Sequence, residues 1–304
     1  MTFRPMLSAD LKKPENIRFP VMVSPKLDGI RCLVIDGELR SRTLKPIPNA
    51  HINKVLEAFP FPFDGELIVG DPNNPLTWNE TQSGVMSRDG EPDFIYHVFD
   101  HHTPQARPFA QRFDDVHRLH ASLPDFYKRF IKVVPHEHVT NLEGLVSWEN
   151  NYVGAGYEGL MIRSLDGHYK WGRSTEKQGG LIKMKRFHDA EARIVGFVER
   201  MHNENEQTRD NLGLAKRSTH KANKTPMGTL GAFVCEILAS KLDSTLPDVL
   251  VEFEVGTGMD DSFRQYVWDN QALFLNKMLK FKYQQVTNKM KPRLPVYLGI
   301  REDE

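Results

Sequence analysis

The chain has 304 residues, a length that favours two domains with hydrophobic cores of their own. Lysine plus arginine equal aspartate plus glutamate at 40 each, so net charge gives no argument for a nucleic-acid or membrane partner. Cys32 and Cys235 lie far apart without Cys-x-x-Cys spacing, which excludes a cysteine-rich zinc module and a disulfide framework. The amino terminus lacks a signal peptide's apolar core, and no apolar run approaches membrane-spanning length. We therefore expect a cytoplasmic protein without a membrane partner.

Before residue 190 the pattern mixes strands and helices. Apolar, β-branched runs predict strands at 31–35, 63–69, 94–99, 131–134, 159–162 and 181–184. Helical periodicity predicts helices at 51–58, 110–123 and 141–152. The Asp36-Gly37 pair between alternating stretches predicts a hairpin turn. This half of the chain therefore indicates an α+β domain in which strands outnumber helices.

After residue 190 short strands dominate. They are predicted at 192–198, 230–238, 249–255, 279–284 and 295–300, with one helix at 260–270. Five strands around one helix favour a small β-barrel of the oligonucleotide-binding (OB) type, and an open sheet is the alternative.

The segment 203–225 is polar, becomes basic toward its end and lacks apolar periodicity. It predicts a long surface insertion without regular structure, mobile until it meets a partner. Two segments, 216–224 and 277–293, contain several basic residues and no acidic ones. They are the candidates for a surface that contacts phosphates, with a solvated basic face as the alternative.

The run PKLDGIR at 25–31 has the composition of a site that accepts a nucleotidyl group. An amine attacks phosphorus only when it is uncharged, and because the ordinary pKa of lysine is about 10.4, a nucleophilic lysine needs neighbouring cations, a metal or desolvation. Arg31 can supply one cation and clamp a phosphate, and Gly29 allows a tight turn beneath a ligand. The run indicates Lys26 as a nucleophile, with an exposed lysine before an Asp-Gly turn as the alternative.

Two further positions suit a purine nucleotide. Glu66 begins an apolar strand and can accept hydrogen bonds from a pair of ribose hydroxyls, with Asp64 two residues before it on the same face. Phe99 ends a strand, where its ring can stack on a purine. Taken singly, Glu66 could instead be a surface carboxylate and Phe99 a core residue.

Three charged residues suit phosphates and a metal ion. Glu158 precedes an apolar strand and offers the oxygen ligands that magnesium prefers. Lys183 and Lys185 alternate along a strand, so both side chains point to one face and can hold one phosphate. Alternating lysines on an edge strand also prevent aggregation, which is the alternative interpretation.

The order of these motifs resembles the nucleotidyltransferase series of ATP-dependent DNA ligases and mRNA capping enzymes. The series consists of KLDGIR at 26–31, SRT at 41–43, DGEL at 64–67, FD at 99–100, EGLMIR at 158–163 and KMK at 183–185. Further runs at 41–49, 169–175, 182–194, 216–221, 256–260 and 293–303 make nearly the whole chain similar to the minimal viral and bacteriophage ATP-dependent DNA ligases. The resemblance implies an adenylation (nucleotidyltransferase) domain at 1–189 and an OB-fold domain at 190–304, with a latch-like, DNA-clamping insertion at about 203–225.

The resemblance also implies roles for single residues around the nucleotide. Lys26 would become lysyl-AMP, with Ser24 beside the adenine and Phe99 stacked on it. Glu66 would bind the ribose hydroxyls. ATP is therefore the expected cofactor, with AMP covalently bound to Lys26.

Charged positions complete the implied site. Arg31 and Arg42 would contact the ribose and the phosphate at the nick. Lys183 and Lys185 would hold the α-phosphate, and Glu158 would act on Mg²⁺ or Mn²⁺.

The expected partner is nicked duplex DNA, bound by a monomer. Phosphate contacts are expected from Arg173 and from four residues of the insertion, namely Lys216, Arg217, Lys221 and Lys224. Arg293 and Arg301 resemble the motif that orients the pyrophosphate leaving group of ATP. The family often ends this motif with aspartate followed by lysine, whereas Asp303 is followed here by Glu304.

Three other functions share parts of this pattern. A capping guanylyltransferase has the same lysine chemistry and an OB domain. An RNA ligase tends to have glutamate where Asp28 stands and to lack this OB domain. A non-catalytic OB-type nucleic-acid-binding protein would bind DNA in a salt-sensitive way and form no adenylate.

Overall fold

The computed structural model describes residues 3–57, 61–74, 77–103, 106–287 and 289–301. The chain divides into two compact units. The first comprises Met1–Lys185 and Asn211–Gly213, and the second comprises Arg186–Asp210 and Leu214–Glu304.

The first unit contains the helices α1 (Ala50–Val55), α2 (Thr77–Met86), α3 (Phe109–Ala121), α4 (Asp125–Lys128) and α5 (Leu142–Gly154). Its strands are β1 (Met6–Leu7), β2 (Ala9–Asp10), β3 (Val21–Pro25), β4 (Ile30–Ile35), β5 (Glu38–Ser41), β6 (Phe63–Val69), β7 (Phe94–His101), β8 (Ile131–Val133), β9 (Glu137–Val139), β10 (Gly159–Ser164), β11 (Gly172–Arg173) and β12 (Ile182–Lys185). All the strands and helices that the sequence predicts for this half are present, so the α+β class is confirmed.

Two five-stranded sheets organise the first unit. One has the strand order β2-β12-β10-β3-β9 and the other β5-β4-β6-β7-β8. Helix α3 packs on β7 and β8, with Phe109, Phe113 and Val116 buried. The predicted hairpin turn joins β4 to β5, where Asp36 and Gly37 have φ values of 51° and 79°. Both values are positive, as a tight hairpin between twisted strands requires.

Gly159 begins β10 in a backbone conformation that only glycine adopts easily. Its φ is +146°, and a Cβ atom there would overlap the carbonyl oxygen of Met184. Gly159→Ala is therefore expected to lower the free energy of unfolding by about 2–5 kcal/mol through strain and overlap. Gly154→Ala, in the last turn of α5, is the matched control, because an added Cβ atom there would meet no atom within 4 Å outside the adjacent backbone of its own helix. The control should leave stability equal or raise it by up to about 1 kcal/mol in denaturant titrations. Equal stability of the two variants would contradict this account.

The second unit contains β13 (His188–Asn203), β14 (Gln207–Arg209), β15 (Ala215–Arg217), β16 (Lys224–Leu238), β17 (Leu250–Val255), α6 (Asp261–Asp269), β18 (Met278–Tyr283) and β19 (Val296–Ile300). Five of these strands form a sheet of order β17-β16-β13-β18-β19. A parallel bridge between Thr257 and Val296 links the two edges of this sheet. The sheet therefore closes into a barrel of the OB type, and the open-sheet alternative is wrong.

The insertion at 203–225 differs from its prediction as a segment without regular structure. β13 and β16 extend into it as a paired ribbon, and β14 and β15 form an antiparallel hairpin within it. Its backbone groups are paired across strands whose side chains are mostly polar and exposed, so apolar periodicity could not reveal them.

Candidate active site

Lys26, Glu158 and Lys185 meet where three neighbouring strands begin or end. β10 lies between β3 and β12, and Gly159 at its start pairs with Lys185 at the end of β12. The backbone N–H of Lys26, which follows β3, donates to the carbonyl oxygen of Gly159 at 2.9 Å. Glu158 is thereby placed between the two lysines and forms an ion pair with Lys26 Nζ through one carboxylate oxygen and with Lys185 Nζ through the other.

The charges of this cluster are held away from bulk water. The Glu158 side chain is only 4% exposed. Burial by itself raises the pKa of Glu158, but the ammonium groups of Lys26 and Lys185 outweigh burial and hold that pKa below its ordinary value. Burial and the charge of Lys26 lower the pKa of Lys185, against the opposing effect of Glu158. The cluster is an ionised carboxylate bridging two cationic groups, which is suited to receive an anion.

Two residues further along the same three strands lie Ser24, Met161 and Lys183. These residues pair across β3, β10 and β12. Ser24 is buried, and Lys183 Nζ lies 3.1 Å from a carboxylate oxygen of Asp10 on β2. Lys183 and Lys185 therefore follow one strand at alternate positions but have different acidic partners.

Arg31 and Glu66 lie opposite each other on β4 and β6 of the second sheet. Arg31 donates to both carboxylate oxygens of Asp64, at 2.5 and 2.6 Å. The hydroxyl of Tyr169 also donates to Asp64, at 2.6 Å. Asp64 is completely buried, so this carboxylate fixes Arg31 and is not a second acceptor for a ribose.

Glu66 has an unusual protonation equilibrium. Burial raises its pKa from 4.5 to about 7, against the opposing charges of Arg31 and Lys26. A carboxyl group with this pKa changes its hydrogen-bonding character near neutral pH, because the protonated form is a donor as well as an acceptor.

Phe99 lies against two arginines. The guanidinium carbon of Arg31 is 4.9 Å from the ring centroid, and that of Arg163 is 5.5 Å from it. Arg163 and Arg112 both donate to the fully buried Asp100, at 2.6 and 2.9 Å. This buried ionic network supports the strand that carries Phe99.

Sequence reasoning missed Arg112, Arg163 and Tyr169, and the signal available was a charged or polar residue within or beside an otherwise apolar segment.

Family models agree with this geometry. The model of the ATP dependent DNA ligase domain matches residues 5–185, which is more than half of the chain. The chain belongs to the ATP-dependent DNA ligases. The model of the DNA ligase OB-like domain matches residues 223–301 of this ligase, which confirms the predicted pair of domain types.

Known relatives of the ligase cover almost its whole length. A DNA ligase of Haemophilus influenzae is 23% identical over 280 residues, which are 91% of this chain and 85% of that protein. The structure of Chlorella virus DNA ligase-adenylate is 31% identical with a TM-score of 0.55, and the match covers 99% of each chain. A Lig E DNA ligase structure is 24% identical with a TM-score of 0.73, covering 99% of this chain and 100% of that one. The predicted resemblance to minimal viral ligases is confirmed.

Two candidate DNA contacts of the ligase lie in the first unit. Arg42 is exposed in the turn after β5. Arg173 is exposed on β11, and its guanidinium donates to the carbonyl oxygen of Ser8 at 2.7 Å. Their contacts with DNA remain predictions.

The basic run at 277–293 of the ligase is partly neutralised. Lys280 Nζ lies 3.6 Å from a carboxylate oxygen of Asp189, and Lys282 Nζ lies 5.0 Å from the ring centroid of Phe187. These contacts engage two of the basic residues of the run, and its contact with phosphates remains a prediction.

The two arginines of the carboxy-terminal motif also lie in the second unit. Arg293 is half-buried, and Arg301 forms an ion pair with Glu191 at 2.8 Å. Their approach to ATP remains a prediction, and Asp303 lies outside the described residues.

The basic residues of the ligase's insertion differ in their exposure to solvent and in their hydrogen bonds. Lys216 and Lys221 are exposed, and Lys224 is half-buried. Arg217 is exposed as a residue, but its guanidinium donates to the carbonyl oxygen of Asn205 at 2.5 Å. Arg217 therefore has a structural contact in addition to its predicted contact with DNA.

The donor set around Glu158 fits a magnesium-type ion that shares its coordination with a substrate. Within the described ranges, no group of three or more His, Cys, Asp or Glu side chains is arranged to hold a metal ion. Mg²⁺ is commonly bound by one or two carboxylates together with substrate phosphates, and Glu158 can supply one such carboxylate.

In the described part of the chain, no helix has both the length and the apolar character needed to cross a membrane.

Proposed function

We propose that this ligase seals nicks in duplex DNA by three in-line displacements. Lys26 Nζ attacks the α-phosphorus of ATP and releases pyrophosphate, the AMP group passes to a DNA 5′-phosphate, and a 3′-hydroxyl attacks that phosphate and releases AMP. The observation that carries the proposal is the joining of Lys26 and Lys185 by Glu158 beside the strand that bears Lys183. This cluster combines a nucleophile with the cations that a phosphoryl group needs.

Glu158 changes its role during the first step. It holds the ammonium group of Lys26 before the reaction. Nζ releases one proton before attack and a second as its bond to phosphorus replaces the P–O bond to pyrophosphate, both to solvent. The resulting phosphoramidate N–H is neutral and no longer forms an ion pair. One Glu158 oxygen then becomes available to Mg²⁺ or Mn²⁺, an ion that would neutralise charge on the phosphoryl group being transferred.

The remaining residues position charge rather than form bonds. Lys183 and Lys185 hold the α-phosphate, and Arg31, fixed by Asp64, contacts the ribose or the phosphate at the nick. Phe99 stacks on the adenine beside Ser24. Because each displacement concentrates charge on phosphoryl oxygens, preorganised cations supply most of the rate acceleration.

The DNA is bound through its backbone. The adenylation domain is assigned to residues 1–189 and the OB domain to residues 190–304, a boundary four residues beyond Lys185, at which the first compact unit ends. In the OB domain, Arg293 and Arg301 orient the pyrophosphate of ATP. Phosphates of the duplex are contacted by Arg42, Arg173, Lys216, Arg217, Lys221 and Lys224 without readout of bases. The enzyme acts as a monomer on DNA inside the cell.

A nick-sealing assay tests this proposal. The purified protein is incubated with magnesium, a nicked duplex and either labelled ATP or labelled GTP. We expect labelled protein and sealed product with ATP and neither of them with GTP. Labelling by GTP would support a capping enzyme, and salt-sensitive DNA binding without any label would support a non-catalytic binding protein.

The ribose role of Glu66 predicts a pH-dependent affinity for adenosine, a ligand that does not titrate near neutral pH. With a pKa of about 7, Glu66 is mostly protonated at pH 6 and mostly ionised at pH 8. The ionised form accepts hydrogen bonds from both ribose hydroxyls, so the Kd for adenosine should fall about tenfold from pH 6 to pH 8. Calorimetric titrations across this range measure the change. Glu66→Gln should bind more weakly with a flat pH profile, and a flat profile for the wild-type protein would contradict the assignment.

A further inference from the structure

Among the residues of the insertion at 203–225 whose burial the structure describes, one is shielded from water. Most of its residues are exposed, whereas Asn205 is only 6% exposed. A buried amide needs hydrogen-bond partners, and Asn205 has them on both sides of the insertion. Its Nδ2 lies 2.7 Å from Asn203 Oδ1, 3.1 Å from the carbonyl oxygen of Ser218 and 2.9 Å from that of His220.

Neighbouring contacts strengthen this connection. Asn203 Nδ2 donates to the carbonyl oxygen of Ser218 at 2.8 Å, and Arg217 donates to that of Asn205 at 2.5 Å. The backbone N–H of Glu204 donates to the carbonyl oxygen of Asn223 at 2.9 Å. The outgoing side of the insertion, residues 203–205, is therefore tied to the returning side, residues 217–223, by side chains as well as by backbone.

The tied backbone lies between the exposed basic residues. Ser218 and His220, which accept from Asn205, separate Lys216 on β15 from Lys221. Fixing these two carbonyl groups fixes the spacing of the backbone positions from which the two lysine side chains extend. A surface that meets a regular array of phosphates gains affinity when its charges are held at one spacing before binding.

We propose that Asn205 is a positioning residue that keeps the insertion in one DNA-competent shape before DNA binds. The inference rests on the proposed function, because it assigns the insertion to the grip on nicked DNA. It replaces the expectation of a segment that becomes ordered only on meeting its partner. Asn205 itself touches no reacting atom.

Two substitutions of equal charge separate positioning from electrostatics. Asn205→Asp removes the N–H donors to the carbonyl oxygens of Ser218 and His220. It also places a carboxylate oxygen of residue 205 against Asn203 Oδ1, so that two acceptors face each other. Asn203→Asp adds the same negative charge two residues away but removes one donor, to Ser218, and keeps the acceptor that serves Asn205. If the hydrogen bonds set the shape, Asn205→Asp has the larger effect.

The first measurement is limited trypsin digestion without DNA, with the peptides identified by mass spectrometry. The insertion offers cleavage sites at Arg209, Lys216, Arg217, Lys221 and Lys224. Cleavage of an opened segment follows the population of the open form, so Asn205→Asp should be cut there about tenfold faster than the wild-type protein. Asn203→Asp should lie between the two. Equal cleavage of wild type and Asn205→Asp would overturn the proposal.

The second measurement is the steady-state sealing of nicked duplex. If a tenfold rise takes the open form from about a tenth of the molecules to most of them, the competent fraction falls about tenfold. The KM for nicked DNA should then rise about tenfold, while kcat at saturating DNA and self-adenylation with ATP stay unchanged. An equal rise in KM for Asn203→Asp would reduce the effect to charge repulsion and overturn the proposal. Absence of adenylation and sealing in the wild-type protein would instead refute the proposed function, and the digestion would still decide whether Asn205 orders the insertion.

Discussion

Lys26→Ala is expected to abolish covalent protein-AMP, since the variant has no amine at the end of β3 to attack the α-phosphorus of ATP. The Lys26 side chain is 18% exposed and makes its ion pair with Glu158, which retains Lys185 as a partner. The fold should therefore survive the change. Labelled ATP followed by denaturing electrophoresis measures the adduct, and Lys45→Ala, at an exposed position, is the matched control. Label that stays on denatured Lys26→Ala at the wild-type level would refute the nucleophile assignment.

The same variant distinguishes loss of the nucleophile from loss of the whole site. The third displacement joins a DNA 3′-hydroxyl to an adenylated 5′-phosphate and forms no bond to Lys26. Lys26→Ala should therefore seal a nick that already carries AMP, while failing on an ordinary nick with ATP. Failure on both substrates, with an unchanged melting temperature, would mean that Lys26 also serves the last step.

Glu158→Gln is expected to slow self-adenylation about a hundredfold or more, the range found when one charge-stabilising group is removed from a preorganised site. The neutral amide leaves the ammonium groups of Lys26 and Lys185 facing each other without the carboxylate that separates them. It also removes the charged oxygen that a metal ion would share with the phosphates. Single-turnover formation of protein-AMP at saturating ATP and magnesium measures the change.

Glu143→Gln provides the control for Glu158→Gln. Glu143 is an exposed residue in the first turn of α5, so its substitution by glutamine should leave the adenylation rate unchanged. Melting temperatures of both variants separate a defect in the reaction from a loss of folded protein. A rate for Glu158→Gln within about threefold of wild type would contradict the central role given to this carboxylate.

The sequence predicted the parts of the site but not how they join. Lys26, Glu158 and Lys185 follow from local motifs, yet Lys26 and Glu158 are 132 residues apart in the chain. Their contact depends on β10 lying between β3 and β12, and strand order is a property of the tertiary fold that no local pattern encodes. The motif order supplied the grouping that the local patterns could not.

The missed elements have physical explanations. Helix α2 buries Thr77, Thr81 and Val85, so its inner face contains hydroxyl groups that carry no apolar signal. The hairpin of the insertion depends on backbone pairing and on Asn205, because few of its side chains are apolar and buried. Arg112 packs in the core only because Asp100, on another element, neutralises it.

The central claim is that one AMP group travels from ATP through Lys26 to a DNA end. The most direct measurement starts from protein that has been labelled with α-phosphate-labelled ATP and freed of ATP. The label is mapped by peptide mass spectrometry in one portion, and nicked duplex is added without ATP to another. We predict label on Lys26 alone, its loss from the protein when DNA is added, and sealed product in equal amount. Label on another residue, or a Lys26 adduct that survives an excess of nicked DNA while sealing proceeds, would contradict the account.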